Sequence, residues 1–163
     1  MTTFLTDYST AIETYLDDHV NVEIRNVTRE GDQINVGETG TFEILITNHG
    51  PVRMRNIRLL VRGLDGMLVK HQGALSQFDA AMTLEGPGDN QIDVAANGGT
   101  FLVAQGSDDW SQILSYKAPN QPRSRRGLIE VSIDDWTADL TPIHRHSSGS
   151  GATTTFVARV FGD

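Results

Sequence analysis

Between Gly37 and Pro51 the chain reads Gly-Glu-Thr-Gly-Thr-Phe-Glu-Ile-Leu-Ile-Thr-Asn-His-Gly-Pro, and this stretch constrains the fold more than any other. Phe42, Ile44 and Ile46 fall on one side of an extended chain, and Thr41, Glu43 and Thr47 fall on the other. A period of two is what a strand with one buried side requires. Glycine punctuates the start, and Asn48-His49-Gly50-Pro51 supplies the turn chemistry at the end. The pattern repeats at once: Ile57, Leu59 and Val61 share one side, with Arg58 and Arg62 opposite.

The same alternation recurs along most of the chain. Val20, Val22 and Ile24 alternate with Asn21, Glu23 and Arg25. Further strands are predicted near Ile34–Val36, Met67–His71, Gln91–Ala95, Thr100–Gln105, Ser111–Lys117, Gly127–Ile133 and Thr153–Phe161. Asp65-Gly66 is a hairpin turn by composition. Gly73–Asp89 has no clean period and reads as irregular, with short helical structure in its first half. Asp139–Ala152 reads as a long loop, because Ser147-Ser148-Gly149-Ser150-Gly151 is a flexible composition. In front of all this, Phe4, Leu5, Tyr8, Ala11, Ile12, Tyr15 and Leu16 recur at helical spacing. That helix either caps its own sandwich or pairs with a second subunit, which makes a homo-oligomer through the N-terminal helix the competing expectation.

Seven to nine short strands without interleaved long helices predict an all-β chain, an antiparallel β-sandwich behind one amphipathic helix. The expected organisation is a helical extension over residues 1–18 and a sandwich domain over 19–163. The expected core is Val22, Ile24, Phe42, Ile44, Ile46, Ile57, Leu59, Val61, Phe101, Val103, Ile129, Val131 and Ile133.

Composition narrows function by exclusion. With no cysteine, thiolate metal sites, disulfides and a cysteine nucleophile are ruled out. A formal net charge of −8 argues against non-specific nucleic-acid binding. Arg53, Arg55, Arg58 and Arg62, and again Arg123, Arg125 and Arg126, are local exceptions. They read either as solvated strand and loop charge or as a small patch for an anionic partner. No run reaches the length of apolar residues needed to span a bilayer, so no membrane insertion is expected. The first residues lack the cationic start of a signal peptide. The address implied is cytoplasmic for the chain as it stands, or extracellular for a piece of a larger exported protein.

Gly37-Glu38-Thr39-Gly40-Thr41-Phe42, followed by Ile44, Ile46, Thr47, Asn48, Gly50 and Pro51, resembles the second strand of immunoglobulin-like modules in bacterial and archaeal surface proteins, including the cell-adhesion-related type. Asn56-Ile57 resembles the start of their following strand. The resemblance is sharp from Ile34 to Val61 and looser through Gly98-Gly99-Thr100-Phe101 and Gly127–Asp134. Those modules are usually shorter and sit in tandem arrays. The resemblance implies an immunoglobulin-like sandwich and a non-catalytic role in adhesion, spacing or accessory binding to a protein or glycan, with no cofactor and no catalytic residues to carry over.

Chemistry-bearing residues are sparse. His144 and His146, two apart in an extended segment, are the pair nearest to a metal site, with Asp139 and Asp135 as carboxylates in reach by sequence. A metal-dependent hydrolase built on them is the alternative function. Asp108-Asp109-Trp110 and Asp134-Asp135-Trp136 echo one another, and a tryptophan beside acids is a surface on which a sugar ring can stack. The bland reading makes Trp110 a core or rim residue and Trp136 a rim residue at a strand end. Trp110, Trp136, Arg123, Arg125 and Arg126 are therefore the partner-binding candidates. No nucleophile elbow of the Gly-x-Ser-x-Gly kind and no phosphate-binding glycine loop is present.

Overall fold

The structure is a computed structural model and describes residues 15–26, 33–71, 77–85, 92–104, 110–111, 113–139 and 144–161; for residues 26, 110–111, 124–127, 139, 144–153, 157–159 and 161 it describes the backbone alone. Among the described residues, eleven strands follow a short helical segment at residues 15–19. They are β1 (Val20–Asn26), β2 (Gln33–Asn35), β3 (Thr39–Asn48), β4 (Arg53–Gly63), β5 (Leu68–His71), β6 (Ala81–Leu84), β7 (Gly99–Ala104), β8 (Trp110–Ser111), β9 (Leu114–Lys117), β10 (Arg123–Asp139) and β11 (His144–Phe161).

These strands build an immunoglobulin-like β-sandwich of two largely antiparallel sheets. One sheet has the order β5-β9-β3-β7-β8, with β1 also paired to β3; the other has the order β2-β11-β10-β4-β6. Among the described residues, parallel pairing is confined to β2 with β11 and β7 with β8. The most constraining segment of the sequence is the spine of the first sheet. β3 pairs with β1 over Phe42–Asn48, with β7 over Ile44–Asn48 and with β9 over Thr39–Phe42.

The core lies between the sheets, where alternation put it. Of the thirteen expected core residues, twelve are buried, and Ile24 is half-buried against the same cluster. Asp65 and Gly66 form the expected tight turn, both with positive φ (56° and 90°), but it carries the chain from β4 in one sheet to β5 in the other and is not a hairpin. The Met67 amide closes it by donating to the Leu64 carbonyl at 3.1 Å.

The second half of the chain departs from expectation in three places. Ala81–Leu84, inside the segment read as irregular, forms β6 against β4, while residues 72–76 and 86–90 lie outside the described residues. Of the strand expected at Gln91–Ala95, the described residues 92–95 form no ladder strand; Val94 makes an isolated bridge to Met54. The presumed loop at Asp139–Ala152 is largely strand. β11 begins at His144, and Ser147, Ser148 and Gly151 pair with Trp136, Asp135 and Ile133.

A further departure, at the end of β10, comes from bulges. Register shifts interrupt the β10–β4 pairing between Ile133 and Asp135 and between Asp135 and Thr137. An extra residue flips side chains to the opposite side of a sheet. Ile129, Val131 and Ile133 are buried before the first shift, whereas Trp136 and Ala138 are buried after it. Trp136 is therefore core, 1% exposed, and not the rim residue expected at a strand end. On β4, Asn56 (φ 53°) absorbs the compensating bulge, which places Met54 and Ile57 both inside.

The helical segment is tied to the sandwich by a buried polar hub. Tyr15 and Leu16 are each 5% exposed and belong to the core. The Tyr15 ring lies 5.3 Å from the Trp136 ring. Its hydroxyl accepts the Val52 amide at 3.0 Å and donates to Asn48 Oδ1 at 2.9 Å. Asn48, fully buried, also accepts the Gly50 amide at 3.1 Å and donates from Nδ2 to the Val52 carbonyl at 2.7 Å. Gly50 has to be glycine, because a Cβ there would collide with the Tyr15 hydroxyl. Of the helix expected from Phe4 to Leu16, residues 4–14 lie outside the described residues.

Candidate functional site

The arginine row of β4 is where a cationic patch would be expected, and ion pairs occupy it. Arg58 Nη2 lies 2.7 Å from Asp134 Oδ2, with Glu85 at 3.8 Å from Nη1. Arg62 lies 3.5 Å from Glu130, and Arg53 lies 3.9 Å from Asp93. The Asp134 hydrogen bond raises the Arg58 pKa above its ordinary value. Cross-strand register causes this, because Arg62 and Glu130 are Cα partners and Arg58 pairs with Asp135 beside Asp134. Each carboxylate neutralises its arginine at the sheet surface, which leaves this row poorly suited to hold an external anion.

Arg123 stands elsewhere, at one end of the sandwich. β9 ends at Lys117, and residues 118–122 carry the chain across to β10, which opens with Arg123. Lys117 is the Cα partner of Leu68 on β5, so the Asp65-Gly66 turn lies beside this crossing. Backbone bonds fix the crossing: the Ala118 amide donates to the Glu38 carbonyl at 2.8 Å, and the Gly37 amide donates to the Pro119 carbonyl at 3.0 Å. Between the turn and the crossing lies a cleft of about 420 Å³, lined by Gly66, Leu68, Lys117, Ala118, Pro119, Asn120, Gln121 and Arg123.

Ala118 and Pro119 are buried, whereas Lys117, Asn120 and Gln121 are exposed. Arg123 is half-buried and held from two sides. Its Nε lies 3.3 Å from Asp65 Oδ2, an ion-pair distance at which the angle does not make a hydrogen bond. Its Nη1 donates to the Pro122 carbonyl at 3.1 Å and to Gln121 Oε1 at 3.4 Å. These contacts orient the guanidinium before any partner arrives, and Nη2 is the nitrogen they do not occupy. A cleft on a rigid scaffold with a few placed polar groups is how sandwiches build recognition sites from their end loops.

The other candidates are placed as follows. Trp136 is buried among core residues, and its Nε1 has no acceptor among the described residues. Asp139 and His144 are Cα partners, and His146 pairs with Thr137, so the β10–β11 register brings the backbones of that set together. The side chains of Asp139, His144, His146, Trp110, Arg125 and Arg126 lie outside the described residues. Among the described residues, no group of three or more His, Asp or Glu side chains converges as a metal site. No described helix is long and apolar enough to cross a membrane. Sequence reasoning singled out Arg123 but missed Lys117, Asn120 and Gln121, because only the folded topology sets them beside Gly66.

No protein-family model matches the chain, and no curated protein matches it. Among solved structures it is similar to the GAE domain of yeast GGA1, at 14% identity over 85% of this chain and 90% of that one, with a TM-score of 0.41. It is similar to the sporulation control protein Spo0M from Bacillus subtilis at 14% identity over 87% of this chain, spanning about half (49%) of that one, with a TM-score of 0.30. A third similar structure is a cohesin module from a Clostridium perfringens family 33 glycoside hydrolase, at 10% identity over 89% of this chain and 98% of that one, TM-score 0.32. Likenesses at this level carry no functional argument.

Proposed function

We propose that the protein is a non-catalytic interaction module that engages a protein partner through the end of the sandwich where β4 turns into β5 and β9 crosses to β10. The observation that carries this reading is the cleft itself: about 420 Å³, with a buried floor and polar and cationic side chains at its rim. Its walls are strand ends and short connections fastened by backbone hydrogen bonds, the setting in which a recognition surface keeps its shape. The resemblance of the β3–β4 segment to immunoglobulin-like modules of bacterial and archaeal surface proteins supports an adhesive or accessory-binding role over chemistry.

The test is affinity capture by the wild-type chain and by two variants. Asn120→Ala/Gln121→Ala alters the cleft rim, and Arg58→Ser/Arg62→Ser alters the outer surface of β4. A partner held by the wild type and the β4 variant, and lost by the rim variant, supports the reading. A partner lost only by the β4 variant moves the surface to the sheet and refutes it.

A further inference from the structure

Resting on that reading, we infer that the end cleft recognises a carboxylate, presented by an acidic segment of a partner protein, with Arg123 as the anchoring group and Lys117 as the second cation. The chain as a whole is a poor anion binder, since its formal net charge is −8. At physiological salt, charges beyond about 8 Å are largely screened, so local groups decide. Locally the sign is reversed: Lys117 and Arg123 line the cleft, and Asp65 pairs with Arg123 from its side. Among the described residues lining the cleft the charged ones are both cations, one of them paired with Asp65, a modest positive excess that suits a monoanionic carboxylate better than a phosphate dianion.

The geometry fits the same ligand. Asp65 lies on the Nε side of Arg123, while Gln121 and the Pro122 carbonyl hold Nη1, so the guanidinium is oriented before any ligand arrives. Nη2, which those contacts do not occupy, can give a carboxylate one charge-assisted hydrogen bond, and a lysine is a mobile point charge that follows a ligand's position. Asn120 and Gln121 at the rim offer amide groups that can pair with the peptide bonds flanking an acidic side chain. Gly66 keeps the cleft open: a Cβ there would lie 3.0 Å from the Pro119 Cβ, and its φ of 90° disfavours any side chain.

The probe is N-acetyl-tetraglutamate amide, titrated into the ¹⁵N-labelled full chain and followed by NMR, with the tetraglutamine peptide as the neutral control. Saturable shifts at Leu68, Lys117, Asn120, Gln121 and Arg123 are expected with the acidic peptide alone, weakening as salt rises. Arg123→Gln should weaken binding about tenfold, the effect of losing one charge-assisted hydrogen bond. Lys117→Gln should weaken it less. Asp65→Asn should tighten it, because it removes the competing carboxylate; this opposite sign keeps the inference testable even where Arg123→Gln perturbs the fold. Absence of saturable shifts, equal response to tetraglutamine, or stronger binding of inorganic phosphate than of the acidic peptide would each overturn it. A partner still lost by the rim variant in the capture experiment would then leave the interaction-module reading standing without the carboxylate.

Discussion

Tyr15→Phe is the most exacting test of how the helical segment joins the sandwich. The substitution keeps the ring and its 5.3 Å contact with Trp136, so no cavity opens and the change is confined to one hydroxyl. That hydroxyl is the acceptor for the Val52 amide and a donor to Asn48 Oδ1. Asn48 Oδ1 keeps the Gly50 amide, but the Val52 amide loses its partner in a part-buried setting. An orphaned buried donor costs about 1–3 kcal/mol, and the lost bond to Asn48 keeps the total toward the upper part of that range, about 1.5–3 kcal/mol. For a chain of 163 residues, each kcal/mol moves the melting midpoint by roughly 2–4 °C, so a fall of about 3–12 °C is expected. Urea denaturation of the full chain, followed by tryptophan fluorescence, measures the same loss as a lower midpoint at unchanged slope. Pairing the change with Asn48→Ala in a double-mutant cycle should give a coupling energy of at least about 0.5 kcal/mol. A loss below about 0.5 kcal/mol for Tyr15→Phe would show that the hub does not hold the segment and would refute the reasoning.

Three further outcomes follow from the same structure. Phe42, 2% exposed at the centre of the spine strand, should cost about 3–5 kcal/mol when replaced by alanine, read from denaturant midpoints; a loss under about 1 kcal/mol would contradict its burial. Burial raises the Tyr15 phenol above its ordinary value of 10.0, against weaker lowering by its hydrogen bonds to Val52 and Asn48. The unfolded chain therefore releases that proton first, so stability from this group is intact below about pH 10 and declines as pH rises above it; melting curves of wild type and Tyr15→Phe should converge with alkalinity. Limited proteolysis should not cut preferentially within Ser147–Gly151, since Ser147, Ser148 and Gly151 are paired to β10; rapid cleavage confined there would contradict that pairing.

Legibility in the sequence followed the side-chain period. Where one side of a strand is buried without interruption, as at Phe42, Ile44 and Ile46, alternation alone located the core. At β10 the rule held up to Ile133, and the bulge before Asp135 then reversed its phase, so Trp136 looked like a rim residue. In β11, Ser147–Gly151 has no apolar alternation to read, and strand structure there comes from a neighbour supplied by the rest of the fold. The Tyr15 hub was equally hidden, because its partner Asn48 is 33 residues away and appears in the sequence merely as a turn residue.

The two arginine groups show the same limit acting on function. Arg58, Arg62 and Arg123 look alike in the sequence in one respect, each belonging to a short cluster of arginines. Pairing distinguishes them: β10 lays Asp134 and Glu130 beside Arg58 and Arg62, whereas the chain crossing at 118–122 brings Arg123 to a cleft with Lys117 and a single carboxylate, Asp65. A cation whose charge is matched on a flat sheet has little left for a partner, since an incoming anion must displace a carboxylate already in place. Arg123 is paired too, at 3.3 Å from Asp65, and what differs is the setting: Lys117 lines the same concavity, so the cleft keeps a cation beyond that pair and a shape to fill. Charge clustering in the sequence is therefore a weak guide to binding in this fold, and the strand register that assigns each arginine its counter-charge is the stronger one.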